Sequence, residues 1–218
     1  LPGGQVDVDL KKLLDYNRYE GSSLGGGLRT NESLSGHFKT GGYLGYGFAD
    51  KELKYGGSLE LELHRPSETT LHLTHINDVV ESGGYRFLRE TGFFSTETYR
   101  SYLIKTMDRV SRWQAALSFR ALDYLKVRTF LRQSTIDPYT DYTFDAGKNT
   151  YEGNFYTTEA GIRLRYAHGE DFVETHRGKF SLGTEAPIFY GNIIRGFDGL
   201  GGDLDYTKYE AAISSKFK

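Results

Sequence analysis

Three side chains able to ligate a metal, His72, His75 and Asp78, follow one another at intervals of three residues. On a helix this spacing would gather them on one face, as a metal site requires. Residues 69–76, however, read as a β-strand, in which successive side chains point to opposite faces. His72 and His75 are therefore expected on opposite sides of a sheet, and we predict no metal site here.

Two carboxylates, Glu60 and Glu62, share one face of a strand at a separation of roughly 7 Å. That separation overlaps the range of glycoside hydrolase carboxylate pairs, but charges paired with arginines are the commoner arrangement. Ser118 and Ser181 lie in no Gly-x-Ser-x-Gly context, and no acid can be placed beside a His and a Ser. We predict no catalytic residue and no cofactor, and keep a membrane-barrel enzyme acting on lipid as an alternative.

Glycines are concentrated at residues 25–27 and 41–47. No helix with Lys-Ser/Thr follows either run, so they do not form a phosphate-binding loop. In strands, glycines allow bending and leave room for a large side chain such as Tyr43 to lie across a neighbouring strand. We expect one or the other of these roles for the two runs.

The elements that position these residues are predicted from alternation with period two. It is clearest at residues 53–64, where Leu59 and Leu61 share one face while Glu60 and Glu62 share the other. The remaining strands are predicted at residues 37–48, 112–120, 125–132, 159–166 and 209–217, with weaker signals at 22–29, 69–76, 99–107 and 188–195. The sequence thus indicates an all-β protein of about ten strands.

Composition agrees with this class. The chain of 218 residues has 27 glycines, 15% aromatic residues and no cysteine, so it holds no disulfide or thiolate metal site. Its 27 basic and 29 acidic residues argue against a nucleic-acid binder that relies on bulk positive charge.

The connections suggest an antiparallel up-and-down meander. Short turns at residues 49–52, 65–68 and 122–124 and long loops at 77–98 and 134–154 are expected at opposite ends of the sheet. Leu10, Leu13 and Leu14 would share a helix face, which predicts a short helix at residues 8–16. We therefore divide the chain into a linker and helical entry segment at residues 1–16 and a β-barrel domain at 17–218.

Alternation alone does not tell which face of the strands lies inside. A soluble barrel has its apolar face inside, whereas an outer-membrane barrel turns that face to lipid and lines its lumen with the polar face. Three features favour the membrane barrel: alternating runs of about 10 to 13 residues against about 5 to 6 in typical strands, aromatic residues near strand ends, and charges of both signs on the polar face.

Three sets of residues follow from this assignment. The lumen charge network comprises Arg112, Arg120, Arg128, Arg163, Arg165, Glu60, Glu62, Glu159 and Glu210. The lipid-facing set comprises Leu59, Leu61, Leu63, Leu117, Phe119, Ile162 and Leu164. The interfacial aromatic set comprises Tyr46, Phe48, Tyr55, Tyr102, Trp113, Tyr166, Tyr190, Tyr206 and Phe217.

Residues 7–21, 24–31, 41–48, 54–57 and 201–210 resemble a family of poorly characterised outer-membrane proteins. In that family a carboxypeptidase-regulatory-like periplasmic domain precedes a barrel distantly related to the BamA-like insertases. The resemblance implies an outer-membrane barrel with more strands than the ten indicated by the sequence, so a part of a larger barrel is the alternative.

A tripeptide extends this resemblance. Arg195, Gly196 and Phe197 are similar to the Arg-Gly-Phe/Tyr loop with which insertase-type barrels plug their lumen. The alternative is a strand that runs into a glycine turn.

The sequence therefore predicts a transmembrane β-barrel in a Gram-negative outer membrane, structural or related to assembly or transport. Its lumen would be charged and its long loops external. Outer-membrane lipid is the expected partner, other envelope proteins are further candidates, and no nucleic acid is expected. A soluble barrel that binds an apolar ligand remains the alternative of a different class.

Overall fold

The computed structural model describes residues 4–9, 14–82, 103–140, 143–145, 150–175 and 178–215. This part of the chain contains strands and no helix. The strands are β1 (Val6–Asp9), β2 (Leu14–Asn17), β3 (Gly21–Thr30), β4 (Phe38–Gly47), β5 (Leu53–His64), β6 (Thr69–Glu81), β7 (Met107–Leu122), β8 (Leu125–Asp137), β9 (Thr143–Asp145), β10 (Thr150–Glu152), β11 (Phe155–Ala167), β12 (Asp171–Thr175), β13 (Gly178–Gly183), β14 (Ile188–Phe197) and β15 (Tyr206–Ser214).

Eleven of these strands form one antiparallel up-and-down sheet. Its order is β1-β3-β4-β5-β6-β7-β8-β11-β14-β15, and β2 pairs with β3 beyond the end of β1. Two hairpins, β9–β10 and β12–β13, lie within the connections that follow β8 and β11. The predicted all-β, up-and-down class is confirmed, while the sheet is not closed into a barrel.

The predicted helix at residues 8–16 is wrong for the residues described. Val6–Asp9 and Leu14–Asn17 are strands, and both pair antiparallel with β3. Val6 and Val8 alternate with Asp7 and Asp9, and the ladder along β3 satisfies backbone groups that a helix would otherwise have bonded internally.

The connections also differ from the prediction. Because successive turns of an up-and-down sheet alternate between its ends, the short turn after β4 lies at the same end as the long connections that follow β6 and β8. The predicted loops at residues 77–98 and 134–154 begin later than expected, since β6 continues to Glu81 and β8 to Asp137. Contrary to the prediction, short and long connections therefore do not lie at opposite ends of the sheet.

The register of the eleven-stranded sheet assigns the side chains paired in it to one of two faces. The inner face is the one that carries Glu159, whose directly opposite neighbours are Arg132 on β8 and Gly196 on β14. The outer face carries Ile162, which lies opposite Thr129 and Ile193.

Burial is greater on the inner face. Its buried residues include Lys54, Val110, Ala116, Phe130, Ser134, Glu159, Asn192 and Ile194. Apart from Leu63 at the irregularity of β5, the large apolar residues that are exposed on strands β3 to β8, β11, β14 and β15 lie on the outer face, such as Leu44, Trp113, Leu131 and Ile193. The sheet therefore curves around its charged face.

Three glycines on the inner face, Gly56, Gly161 and Gly196, lie under aromatic rings of the adjacent strand. Tyr43 lies directly opposite Gly56, and a Cβ on Gly56 would collide with its ring. Phe130 stands in the same relation to Gly161. Tyr43 does lie across a neighbouring strand as expected, but the glycine that makes room for it is Gly56, which lies outside the two glycine runs.

Candidate functional site

The charged inner face is the candidate site. All nine residues of the predicted charge network lie on it. The pairing between strands places each of them on the same side of the sheet as Glu159. Their role as the lining of a lumen stays a prediction. Most of them form hydrogen bonds or ion pairs with side chains that sequence reasoning did not select, such as Arg29, Arg132 and Glu170.

Glu159 is the centre of the first cluster. Arg132 donates to both of its carboxylate oxygens, with 2.8 Å between Nη2 and Oε1. Tyr206, on the strand β15 two strands from Glu159, donates its hydroxyl to Glu159 Oε1 at 2.6 Å. These three donors compensate for the burial of this carboxylate.

Neighbouring residues extend this polar layer. Arg112 donates from Nε to Ser134 Oγ at 2.9 Å. Glu210 accepts from Asn192 and pairs with Lys208 at 2.7 Å. Predicted charges of β7 and β15 thus each find a partner on the inner face.

A second cluster lies at the end of β11 and the turn that follows it. Arg165 bonds Glu170 with both terminal nitrogens, at 2.8 and 2.6 Å, and Ser181 donates to Glu170 Oε1 at 2.6 Å. The hydrogen bonds from Arg165 are the main reason that the pKa of Glu170 lies below its usual value; Ser181 adds to this, and burial opposes it.

Glu68 forms the same kind of contact in the turn between β5 and β6. Arg120 donates from Nε at 2.7 Å, and Lys126 forms an ion pair with the second oxygen. Burial acts to raise the pKa of Glu68, but the two cations outweigh it and hold the pKa below its usual value. The Arg120 guanidinium also lies 4.4 Å from the centre of the Phe172 ring in the β12–β13 hairpin.

Glu60 and Glu62 lie on the inner face of β5. Arg29 bonds Glu60 at 3.0 Å, His72 Nδ1 lies 3.7 Å from the same carboxylate, and Arg65 donates to Glu62 at 3.0 Å. Both acids are paired with cations, which favours the structural interpretation over a glycosidase pair.

A buried cluster at the other end of the sheet was missed. Lys54 pairs with Glu20 and, at 2.6 Å, with Asp50, while Asn17 donates to Glu20. Lys54 is only 6% exposed. The alternation of β5 places Lys54 on the polar face, but no sequence signal identifies a partner 34 residues away.

Six of the seven predicted lipid-facing residues lie on the outer face, and the seventh, Leu63, lies at the irregularity of β5 between Glu62 and His64. Contact with lipid stays a prediction. Of the interfacial aromatic set, Tyr46, Tyr55, Trp113 and Tyr166 lie on this face. Phe48 lies just beyond β4, and Tyr102 and Phe217 lie outside the described residues.

Tyr190 and Tyr206 correct the aromatic set. Both lie on the inner face, opposite Arg165 and Gly196 respectively. Tyr206 is the first residue of β15. Because side chains alternate along a strand, Tyr206 lies on the same face as Glu210 and on the opposite face from Tyr209. Position near a strand end did not determine the face.

Arg195, Gly196 and Phe197 are the last residues of β14, not a loop. They pair with Ala160, Glu159 and Thr158 of β11. The predicted lumen-plugging loop is wrong, and the alternative, a strand that runs into a glycine turn, describes the structure.

The described residues contain no arrangement typical of catalysis. His72 and His75 lie on opposite faces as predicted, and His75 stacks on Trp113 at 4.1 Å between ring centres. His64 Nδ1 lies 2.6 Å from Ser67 Oγ within one turn, and no carboxylate within the described ranges bonds His64. No group of three or more potential metal ligands occurs among the same residues.

Comparison with known proteins yields no match to a family model, to a curated protein or to a solved structure. In the part of the chain with assigned structure, no helix is long and apolar enough to cross a membrane.

Proposed function

We propose that this chain is an outer-membrane β-barrel protein with a structural, assembly or transport role. Its outer face contacts lipid, and its inner face lines an aqueous lumen. The sequence resemblance to the family with a carboxypeptidase-regulatory-like domain and a BamA-like barrel points in the same direction and forms part of the proposal.

The observation that carries the proposal is the exposure of the apolar face. Trp113, Leu131 and Ile193 are 64%, 65% and 51% exposed on the outer face, whereas Glu159 and Asn192 are 6% and 2% exposed on the inner face. In water such a large exposed apolar surface is unfavourable, and patches beyond a few hundred Å² mark an interaction surface. A bilayer is a partner that covers such a face on many adjacent strands.

The dimensions of β11 support this partner. Its outer face has Tyr156 at one end and Tyr166 at the other, with Thr158, Ala160, Ile162 and Leu164 between them. Ten residue steps span ~33 Å along the strand, or ~25 Å along the barrel axis at a tilt of ~40°. That is the height of the apolar band of outer-membrane barrels.

Arg195 is the charged residue between the aromatic ends of β14. Its guanidinium reaches Asp205 at 2.5 Å and Thr207 at 3.0 Å, toward the connection between β14 and β15. This arrangement is typical of an arginine that directs its charge to a membrane interface.

Closure of the sheet is part of the proposal. The path from β1 to β15 has ten strands, so its two edge strands run antiparallel and have the orientation needed to pair. We propose that they pair with each other in the membrane, because an open edge within hydrocarbon leaves backbone groups unbonded.

The soluble alternative requires the opposite arrangement of faces. A lipocalin-type barrel encloses its apolar side chains, whereas here they are on the convex side. The enzyme alternative lacks a His, Ser and acid constellation among the described residues.

Partition tests the membrane proposal. We expect the folded protein to require detergent or lipid and to float with vesicles of outer-membrane lipid. A folded, monodisperse protein in detergent-free buffer would contradict the proposal.

Cysteine pairs test closure, and the absence of native cysteine makes them unambiguous. We expect Val8→Cys to cross-link within one chain to a cysteine at Tyr209, Ala211 or Ile213, all outward positions of β15. Val8→Cys with Ile162→Cys is the matched control, because Ile162 lies in the middle of the sheet. If Val8→Cys cross-links to none of the three β15 positions while the protein still associates with lipid, closure is contradicted but membrane insertion is not.

A further inference from the structure

Two arginines of the inner face lie directly opposite each other. Arg128 on β8 faces Arg163 on β11 in the antiparallel ladder. Directly opposite residues have Cβ atoms about 4.5–5.5 Å apart, and like charges at that distance are destabilising.

Arg128 is also half-buried. Its guanidinium forms no hydrogen bond or ion pair within 4.0 Å with the other described residues. Burial of guanidinium donors is unfavourable without a partner, so these donors favour a bound acceptor.

More cations surround this pair. The adjacent row of the ladder places Arg165 opposite Lys126 and Lys126 opposite Arg120. Glu68 is bonded by Arg120 and Lys126, and Glu170 is bonded by Arg165. Glu68 and Glu170 thus bond three of these five cations, and we call Arg120, Lys126, Arg128, Arg163 and Arg165 the cationic cluster.

Two further acids face the cluster from other strands. Glu60 attracts Arg128, and Glu210 attracts Arg163. Each already has another cation, Arg29 at 3.0 Å and Lys208 at 2.7 Å respectively. The cluster thus keeps an excess of positive charge.

A cavity of about 340 Å³ adjoins the cluster. Its polar lining comprises Lys126, Arg128, Arg163, Arg165, Thr70, Ser118, His72 and Glu68, and Phe119 and Val127 supply apolar lining. All of the polar groups except the Glu68 carboxylate are able to donate a hydrogen bond, and that carboxylate is already bonded by Arg120 and Lys126.

We propose that this cavity binds the phosphate group of a small anionic molecule between Arg128 and Arg163. The planar guanidinium groups match the oxygens of a phosphate, and a dianion between them converts their repulsion into attraction. The site does not depend on the membrane proposal, since the inner face is the charged face with or without lipid.

Calorimetric titration of the folded full-length chain in detergent tests the site, with glycerol phosphate as the probe at about 0.15 M NaCl. We expect saturable binding that Arg128→Gln weakens by at least about tenfold, since it removes a bidentate donor. Arg109→Gln is the matched control: Arg109 is an exposed arginine that pairs with Glu52 away from the cavity, so binding should stay within about twofold of wild type.

Unfolding midpoints give a second readout. In phosphate-free buffer, Arg128→Gln should be at least as stable as wild type because it removes the opposed charge. Glycerol phosphate should stabilise wild type and Arg109→Gln but not Arg128→Gln. Equal affinity of wild type and Arg128→Gln for glycerol phosphate would overturn the proposal. Displacement of glycerol phosphate by chloride as effectively as by sulfate would also overturn it.

Dihexanoyl phosphatidic acid, below its micelle concentration, distinguishes the source of the phosphate. Binding of either probe that depends on Arg128 supports the site, and the ratio of the two affinities tells a soluble ester from a lipid headgroup. If neither probe shows binding that depends on Arg128, the proposal is overturned.

Discussion

The ring of Tyr43 occupies the space above Gly56 on the adjacent strand, and its hydroxyl donates to Asp78 Oδ2 at 2.6 Å. One side chain thus crosses from β4 over β5 to a carboxylate on β6. Tyr206 repeats the arrangement over Gly196 to Glu159. Both tyrosines tie three neighbouring strands together on the inner face.

We expect Gly56→Ala to destabilise the fold by about 1–3 kcal/mol, because the new methyl group would displace the Tyr43 ring. Gly57→Ala is the control on the next residue: its Cβ would lie 3.8 Å from Gly41 O, an ordinary contact. Urea unfolding in detergent measures both free energies. Equal stability of the two variants would show that Tyr43 does not need the space above Gly56.

Tyr206→Phe removes a donor to a buried carboxylate. We expect a loss of about 1.5–3 kcal/mol in the free energy of unfolding, the range for hydrogen bonds to charged groups. Tyr209→Phe, on a side chain 75% exposed on the same strand, should change it little. A Tyr206→Phe protein as stable as Tyr209→Phe would rule out a stabilising role for the bond to Glu159.

The pKa of Glu170, lowered in the folded protein by Arg165, predicts acid sensitivity at one end of the sheet. A carboxyl whose folded pKa is below the unfolded value of about 4.3 contributes stability fully above that value and loses it as the pH falls through the folded pKa. Wild type should therefore lose more stability than Glu170→Gln between about pH 5 and pH 3.

The exposed carboxyl of Asp198 provides the control, since Asp198→Asn should follow the wild-type pH profile. Unfolding midpoints across this pH range are the measurement. Parallel profiles of wild type and Glu170→Gln would contradict a contribution from the Arg165 pair.

A charged substitution on the outer face tests whether lipid or water surrounds that face. Leu131→Arg, in the middle of β8, should destabilise the membrane-folded protein by about 2–4 kcal/mol. Leu200→Arg is the matched control, on an 86% exposed residue of the connection between β14 and β15. Because both leucines are largely exposed, a protein in water would tolerate the two changes equally.

Much of the fold follows from local periodicity. The bounds of β5 were predicted from alternation alone, because period two within one strand sets its two faces. The same reasoning placed Glu159 and Ile162 on opposite faces. It failed for residues 8–16, where the spacing of Leu10, Leu13 and Leu14 favours a helix locally but the described residues on either side pair with β3.

The partners of the charged side chains were not predictable in the same way. Arg120 and Glu68 are separated by 52 residues, and Tyr206 and Glu159 by 47. Such contacts depend on the register between strands and on the path of the turns, which alternation within a strand does not encode. Sequence reasoning therefore identified the inner-face charges but not their pairs.

The single tryptophan gives the most direct test of the central claim that the outer face contacts lipid. Trp113 is 64% exposed on this face and stacks on His75 near one end of the apolar band. With the unmodified protein in vesicles, we expect lipids spin-labelled near the headgroup to quench its fluorescence more than lipids labelled near the acyl terminus, and aqueous iodide to quench it weakly. Strong quenching by iodide with none by either lipid label would contradict the account.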